Sequence, residues 1–344
     1  METIPGIAVE PVTAWLVRYV GLVAPLRFEL VAGGRSNLTY RVTDSTGRSV
    51  ALRRPPVSHV LPTAHDMVRE HTIIAALAPL GVPVARPLGL CTDEMVTDRP
   101  FYVMEFVEGA ILRDRAQAET SFDVSVRAVI GEHLAQTLAG LHDVDVNRAG
   151  LANLARHDGY IERQLRRWRT QYEQTRVDGV DHHGVIEAIG DRLAGVIPRQ
   201  QGTTVVHGDY RLDNTVLDAR GNVMAILDWE ICTLGDPLAD LGILLVYWAE
   251  PEDETAALLG AAPTTAPGFA TRADVLEAYA RHSTLDLSDV NFYQAFGYWK
   301  LACILQGVYA RYRAGATAGD QGSVLEFPTH ITTLANLASR TLET

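Results

Sequence analysis

The chain reads as an α+β fold of two lobes. A small antiparallel sheet with one helix is expected over residues 1–106, and a larger, mostly helical lobe over residues 107–344. Two observations carry this. Up to about residue 105, short apolar runs alternate with Gly, Pro and Asn turn signals, the pattern of strands and hairpins. From Ile111 onward the apolar residues recur at helical spacing over long stretches. At 344 residues and 47% hydrophobic content, the chain is long and apolar enough to fill a core of this size.

The elements follow in order. Residues 27–31 form a first strand and run into Gly33-Gly34-Arg35-Ser36-Asn37. Residues 38–42 form a second strand, which turns at Thr46-Gly47 into a third, 50–53, stopped by Pro55-Pro56. His65-Asp66 opens a helix over 67–77, with Met67, Ile74 and Leu77 on one side, ended by Pro79-Leu80-Gly81. Residues 84–90 and 101–106 read as two more strands. Beyond them, helices are expected at 124–142, 160–174, 239–249, 273–281 and 292–313, with short β structure at 203–206 and within 209–228. The Pro/Ala/Thr-rich stretch 260–268 reads as an exposed loop.

The most specific signal is the string His207-Gly208-Asp209-Tyr-Arg-Leu-Asp-Asn214. It places an acid and, five residues later, an amide between two apolar runs. The run 223–227 then delivers Asp228-Trp229-Glu230. An acid, an amide and a second acid beyond a short hairpin gather one proton acceptor and two hard oxygen ligands. Lone loop aspartates are usually turn formers, but the joint spacing argues against that here. Arg211 and Glu230 stand close in sequence as further polar candidates. His207 is expected to brace the loop. Asp236, before Pro237, and Asp240 are expected to support it structurally.

Composition excludes several classes. A net charge of −12 opposes nucleic-acid and anionic-membrane partners. No apolar run is long enough for a membrane-spanning helix, and the N-terminus lacks the basic and apolar regions of a signal peptide. Three cysteines without a CxxC read as reduced thiols of a cytoplasmic protein. The chain has one lysine, Lys300, in Tyr298-Trp299-Lys300-Leu301. A Walker A loop needs Gly-Lys-Ser/Thr, so P-loop chemistry is excluded, and a lysine Schiff base is disfavoured. HExxH, GxSxG and GxGxxG are absent. A metal phosphohydrolase would need more His ligands than this region offers.

The HGDxxxxN string with Leu-Asp-Trp resembles the aminoglycoside phosphotransferase (APH)-like small-molecule kinases, across roughly residues 25–250. The variant with Gly-Gly-x-Ser-Asn-Leu-Thr-Tyr and Leu-Arg-Arg-Pro-Pro is similar to the phosphotransferase domains found beside acyl-CoA dehydrogenases. The resemblance implies a bilobal protein-kinase-like fold that uses ATP and Mg²⁺ to phosphorylate a hydroxyl of a small molecule: an aminoglycoside, amino alcohol, sugar or hydroxyacyl compound. It implies Asp209 as catalytic base or orienter, and Asn214 and Asp228 as metal ligands. Ala51 and Arg53 share a strand face; by resemblance to the kinase V-A-I-K strand they lie against adenine and the phosphates, with Arg in the Lys position. Glu70 is the implied partner of Arg53. Gly33, Gly34, Ser36 and Asn37 are implied phosphate contacts, and the Glu105 carbonyl and Val107 amide the adenine contacts of the hinge. The rival reading is a nucleotide-binding pseudokinase with a regulatory role. Oligomeric state is left open.

Overall fold

The computed structural model describes residues 4–31, 37–57, 66–180, 182–258, 262–315 and 326–344. Helix α1 (Val9–Trp15) continues as a π-helical turn, Leu16–Val20. Strands β1 (Arg27–Leu30), β2 (Leu38–Thr43) and β3 (Ser49–Arg54) precede helix α2 (Met67–Leu77). Strands β4 (Pro87–Cys91) and β5 (Phe101–Glu105) complete an antiparallel five-stranded sheet in the order β1-β2-β3-β5-β4. Register sets Arg53 opposite Thr39 on one side and Tyr102 on the other. Asp66 caps α2 by accepting from the Arg69 amide at 2.9 Å.

Both sheet faces are covered, and period-two alternation sorts the side chains between them. Val50 and Leu52 of β3 join Tyr40, Val42, Phe101 and Val103 in a cluster closed by Val12 and Leu16. Ala51 packs on the opposite side with Tyr102 and Met104, in the core shared with α2 and the helical lobe. The N-terminal helix was not expected from sequence; it is the lid over the sheet's outer face. Arg54 points into that outer layer, buried, with Asp98 at 3.1 Å.

The helical lobe holds α3 (Arg115–Ser121), α4 (Val124–His142), α5 (Tyr160–Gln174) and α6 (His183–Gly195), then α7 (Leu238–Tyr247), α8 (Glu254–Leu258), α9 (Arg272–His282), α10 (Val290–Arg313) and α11 (Phe327–Thr341). Helix α10 is buried on most sides, packed among α5, α6, α7 and α11. Between α6 and α7 lie β6 (Thr204–Val206), β7 (Thr215–Leu217), β8 (Val223–Ile226) and β9 (Thr233–Gly235), paired as β6–β9 and β7–β8. The chain leaving β5 is pinned to β7 by reciprocal Ala110–Leu217 backbone bonds of 2.8 Å. Gly109 permits this approach, since a Cβ there would sit 2.5 Å from the Leu217 carbonyl oxygen. The expected exposed loop differs from what is seen: in 262–268, Ala262, Thr264, Thr265 and Ala266 are buried. Their side chains are small enough to pack, and the Thr264 and Thr265 hydroxyls donate to backbone carbonyls at 2.7 Å. Among the described residues no helix is long and apolar enough to cross a membrane.

Candidate active site

Strand β6 delivers His207-Gly208-Asp209 into a cleft of about 850 Å³ between the sheet and the helical lobe. Arg53, Asp209, Asn214 and Asp228 all line this cleft. Gly208 adopts φ +86°, a left-handed backbone that only glycine takes freely, and a Cβ there would press on Ile231 at 3.1 Å. This accounts for glycine after the histidine.

His207 is fully buried and ties the two acidic positions together. Its Nε2 lies 2.8 Å from the Leu227 carbonyl, and its Nδ1 accepts from the Asp209 amide at 3.2 Å. One tautomer, protonated at Nε2, satisfies both contacts. Asp240 completes the clamp by accepting from the amides of His207 at 2.6 Å and Gly208 at 2.7 Å. Burial pushes the Asp240 carboxyl up, but the hydrogen bond and charge of His142, with His207 and the Gly208 amide, outweigh this and hold it below its ordinary range. A depressed folded-state pKa stabilises the fold above the unfolded value, and that contribution is lost as pH falls through the folded value. Asp240→Asn should therefore lower stability by about 2–3 kcal/mol near neutrality. Below about pH 4 its deficit should shrink, since the wild type then loses the same contribution. Urea midpoints across pH check this. Asp236, expected as a structural support, accepts from the Tyr293 hydroxyl at 2.7 Å and the Leu238 amide at 3.2 Å, with Pro237 at the N-cap of α7.

Asp209 is 30% exposed to the cleft. Its Oδ2 accepts from the Asn214 amide at 2.9 Å and faces Arg211 Nε at 3.3 Å. Asn214 also donates to the Asp209 carbonyl at 2.9 Å, so both amide donations fall on one residue. Asp228 adopts φ +63° and is the one non-glycine with positive φ among the described residues. Aspartate tolerates this region better than most side chains, and such strain concentrates at functional sites.

Across the cleft, Arg53 Nε donates to Glu70 Oε2 at 3.0 Å, and its terminal nitrogen pairs with Asp228. Burial opposes the Arg53 charge, yet Tyr102, Glu70, Asp228 and Glu230 together raise its pKa above the usual guanidinium range. Burial pushes the Glu70 carboxyl up, opposed by Arg53. With Arg53, the Tyr102 hydroxyl at 3.0 Å and the Asn37 amide at 3.3 Å all donating to it, Glu70 acts as a carboxylate. Asn37 is buried, and its amide bridges Glu70 and Glu230. Met104 and Ala85 line the cleft, with Ala51 paired to Met104 in the sheet. Glu105 leaves β5 with its amide bonded to the Arg86 carbonyl at 2.9 Å, and Val107 follows, half-buried. Gly33, Gly34 and Ser36 lie outside the described residues.

The oxygen donors suit a hard divalent cation. No donor among the described residues reaches the Asn214 side-chain oxygen Oδ1, and Asp228 is partly open to the cleft. Among the described residues no group of three or more His, Cys, Asp and Glu could hold a metal on its own. A Mg²⁺ bound by one carboxylate, an amide oxygen and substrate phosphates fits that pattern.

Tyr102 and Lys300 were not anticipated at the site. Tyr102 lies beside Arg53 in the sheet and is buried, so its phenol stays protonated, as burial and Glu70 both favour. Lys300, on α10, donates to the Gly208 carbonyl at 2.8 Å. A lone lysine in an apolar helical run was the available signal.

A guanidinium on β3, paired with a carboxylate on α2 and facing a loop aspartate, its asparagine and a second aspartate, defines a kinase-like phosphotransferase class. The chain belongs to the APH phosphotransferase enzyme family, whose model matches residues 27–275. It is 35% identical to mouse acyl-CoA dehydrogenase family member 10 over 302 residues, 85% of this chain and 28% of that protein. It spans 28–39% of the length of the curated relatives it matches. A solved structure from Ralstonia eutropha JMP134, described as a candidate aminoglycoside phosphotransferase, is 29% identical and superposes with a TM-score of 0.79, covering 97% of this chain and 98% of that one. An amicoumacin kinase solved with AMP-PNP, Ca²⁺ and Ami shares the fold at 17% identity, TM-score 0.59, covering 94% and 93%.

Proposed function

We propose that the protein transfers the γ-phosphoryl group of ATP to a hydroxyl of a small hydroxyacyl compound, with the two lobes dividing at residues 106/107. The observation that carries the reading is the convergence of Arg53, Asp209, Asn214 and Asp228 on one cleft. Arg53, held by Glu70, binds the phosphates of ATP. Gly33, Gly34, Ser36 and Asn37 are assigned to the phosphates, and Ala51, the Glu105 carbonyl and the Val107 amide to the adenine. Asn214 and Asp228 would hold Mg²⁺, which when bound would neutralise phosphate charge. Asp209 accepts the hydroxyl proton as the acceptor oxygen bonds to the γ-phosphorus and the bond to the β-phosphate oxygen breaks, releasing ADP. Gathering all three polar groups weighs against a pseudokinase, which needs none of them for turnover. The AMP-PNP and divalent cation in the amicoumacin kinase structure support the nucleotide assignment.

The acceptor class rests on a second cavity of about 310 Å³ that shares Asp209 with the cleft. Leu301 and Ile304 supply apolar wall, and Arg311 lines both cavities. An apolar chain with an anionic end matches this lining better than a polycationic aminoglycoside. The acyl-CoA dehydrogenase names of the relatives point the same way. ADP release from Mg·ATP should be fastest with hydroxy acids or hydroxyacyl thioesters among a panel that includes aminoglycosides, amino alcohols and sugars. Arg311→Ala should raise the acceptor KM about 10-fold with kcat nearly unchanged. Aminoglycosides as the best acceptors would refute the acceptor class.

A further inference from the structure

Lys300 is the only lysine of the chain. It sits in the middle of α10, where its neighbours Tyr298, Trp299, Leu301 and Ala302 are buried, and it is itself only 7% exposed. A buried ammonium is costly to desolvate unless something on the spot holds it. Here its Nζ donates to the Gly208 carbonyl at 2.8 Å and lies 5.5 Å from the centre of the Trp168 ring. Burial holds the Lys300 ammonium below its ordinary range, opposed in part by the Asp209 and Asp240 charges.

The contact falls at a decisive place. The Gly208 carbonyl and the Asp209 amide belong to one peptide unit. Lys300 holds the carbonyl end, and His207 Nδ1 accepts from the amide end at 3.2 Å. The preceding peptide is already fixed, because Asp240 accepts from the amides of both His207 and Gly208. Gly208 is the soft point between them, with no Cβ and φ +86°. Without a donor on its carbonyl, this peptide keeps only the 3.2 Å bond to His207 at its amide end, and rotation against that single restraint shifts the Asp209 carboxylate.

We infer that Lys300 is a positioning residue for the transfer reaction: it locks the Gly208–Asp209 peptide so that the Asp209 carboxylate meets the acceptor hydroxyl. This rests on the phosphotransferase reading above. Lys300 also lines the smaller cavity with Asp209, so a simple acceptor-binding role is the competing account. The two separate kinetically. A displaced base lowers kcat, because misplacement by about 1 Å costs about 100-fold in rate. A lost binding cation raises the acceptor KM and leaves kcat alone.

The test uses the full chain with Mg·ATP and the best acceptor of the panel, comparing wild type, Lys300→Met and Lys300→Gln. Lys300→Met keeps the length and removes the donor. It should lower kcat about 100-fold, with ATP affinity by calorimetry within threefold of wild type. Lys300→Gln, shorter but still a donor, should recover about 10-fold of that loss and leave kcat about 10-fold below wild type. A Met variant whose kcat stays within threefold of wild type overturns the inference, as does a rise in acceptor KM with kcat unchanged. If the Met variant does not fold, the Gln variant decides: kcat down with ATP affinity kept supports the inference, and unchanged kcat overturns it. A wild type without acceptor-dependent turnover overturns the reading of the site and this inference together. An active wild type with an unaffected Lys300→Met overturns this inference alone.

Discussion

Replacing Asp209 with alanine should lower kcat about 1,000-fold while ATP binding stays within a few-fold of wild type. The proposed mechanism gives this side chain to the acceptor rather than the nucleotide: its Oδ2 is held by Asn214, and it lines both the large cleft and the smaller cavity. A positioned base contributes about 10²–10⁴ in rate, or about 3–5 kcal/mol of barrier. Removing it leaves Arg53, Asn214 and Asp228 in place to bind Mg·ATP. Steady-state turnover and calorimetry run on the same preparation check both halves. A variant with undiminished kcat would remove Asp209 from the mechanism.

Replacing Arg53 with methionine should act on stability and on nucleotide binding at once. Arg53 on β3 joins Glu70 of α2 to Asp228 of the opposite lobe. Glu70 is 1% exposed, so losing the cation strands a buried carboxylate with only Tyr102 and Asn37 as donors. Breaking a buried pair from one side costs about 3–5 kcal/mol. ATP affinity should fall with it, because the same guanidinium is assigned to the phosphates. Arg53→Lys keeps the charge but trades a planar fork for a point charge, so it should recover most of the stability and only part of the affinity. Urea unfolding and ATP calorimetry on the two variants separate these effects. Full stability in Arg53→Met would mean that Glu70 is not held as a charge.

The parts of the fold legible in the sequence were those with local causes. The strands over 27–54 follow from alternation and from turns at Gly47 and Pro55, and helix Met67–Leu77 from its Asp66 cap. Most of what escaped notice lacked such marks, although helix Arg115–Ser121 was missed despite its Asp114 cap. Helix Val9–Trp15 has an uncapped start and a proline in its first turn. Helix His183–Gly195 carries three glycines, and Phe327–Thr341 opens on a proline and is rich in threonine. Burial of 262–266 is tertiary and leaves no periodic trace. The candidate site divides in the same way. Asp209, Asn214 and Asp228 announce themselves by spacing, since a short hairpin joins them. Asp240 was read as a support of the loop and does accept from its amides, whereas Tyr102 on Glu70 and Lys300 on Gly208 depend on which elements meet, so spacing along the chain carries no sign of them.

Phosphorus NMR of the reaction itself tests the central claim most directly. Wild-type protein is incubated with Mg·ATP and each acceptor class, and the products are read without any coupled enzyme. The account predicts a new phosphomonoester resonance on a hydroxyacyl acceptor, growing in equal amount with ADP and absent for Asp209→Ala. ATP that binds yet yields no phosphomonoester with any hydroxylated acceptor, or ADP that appears only with inorganic phosphate, would contradict it.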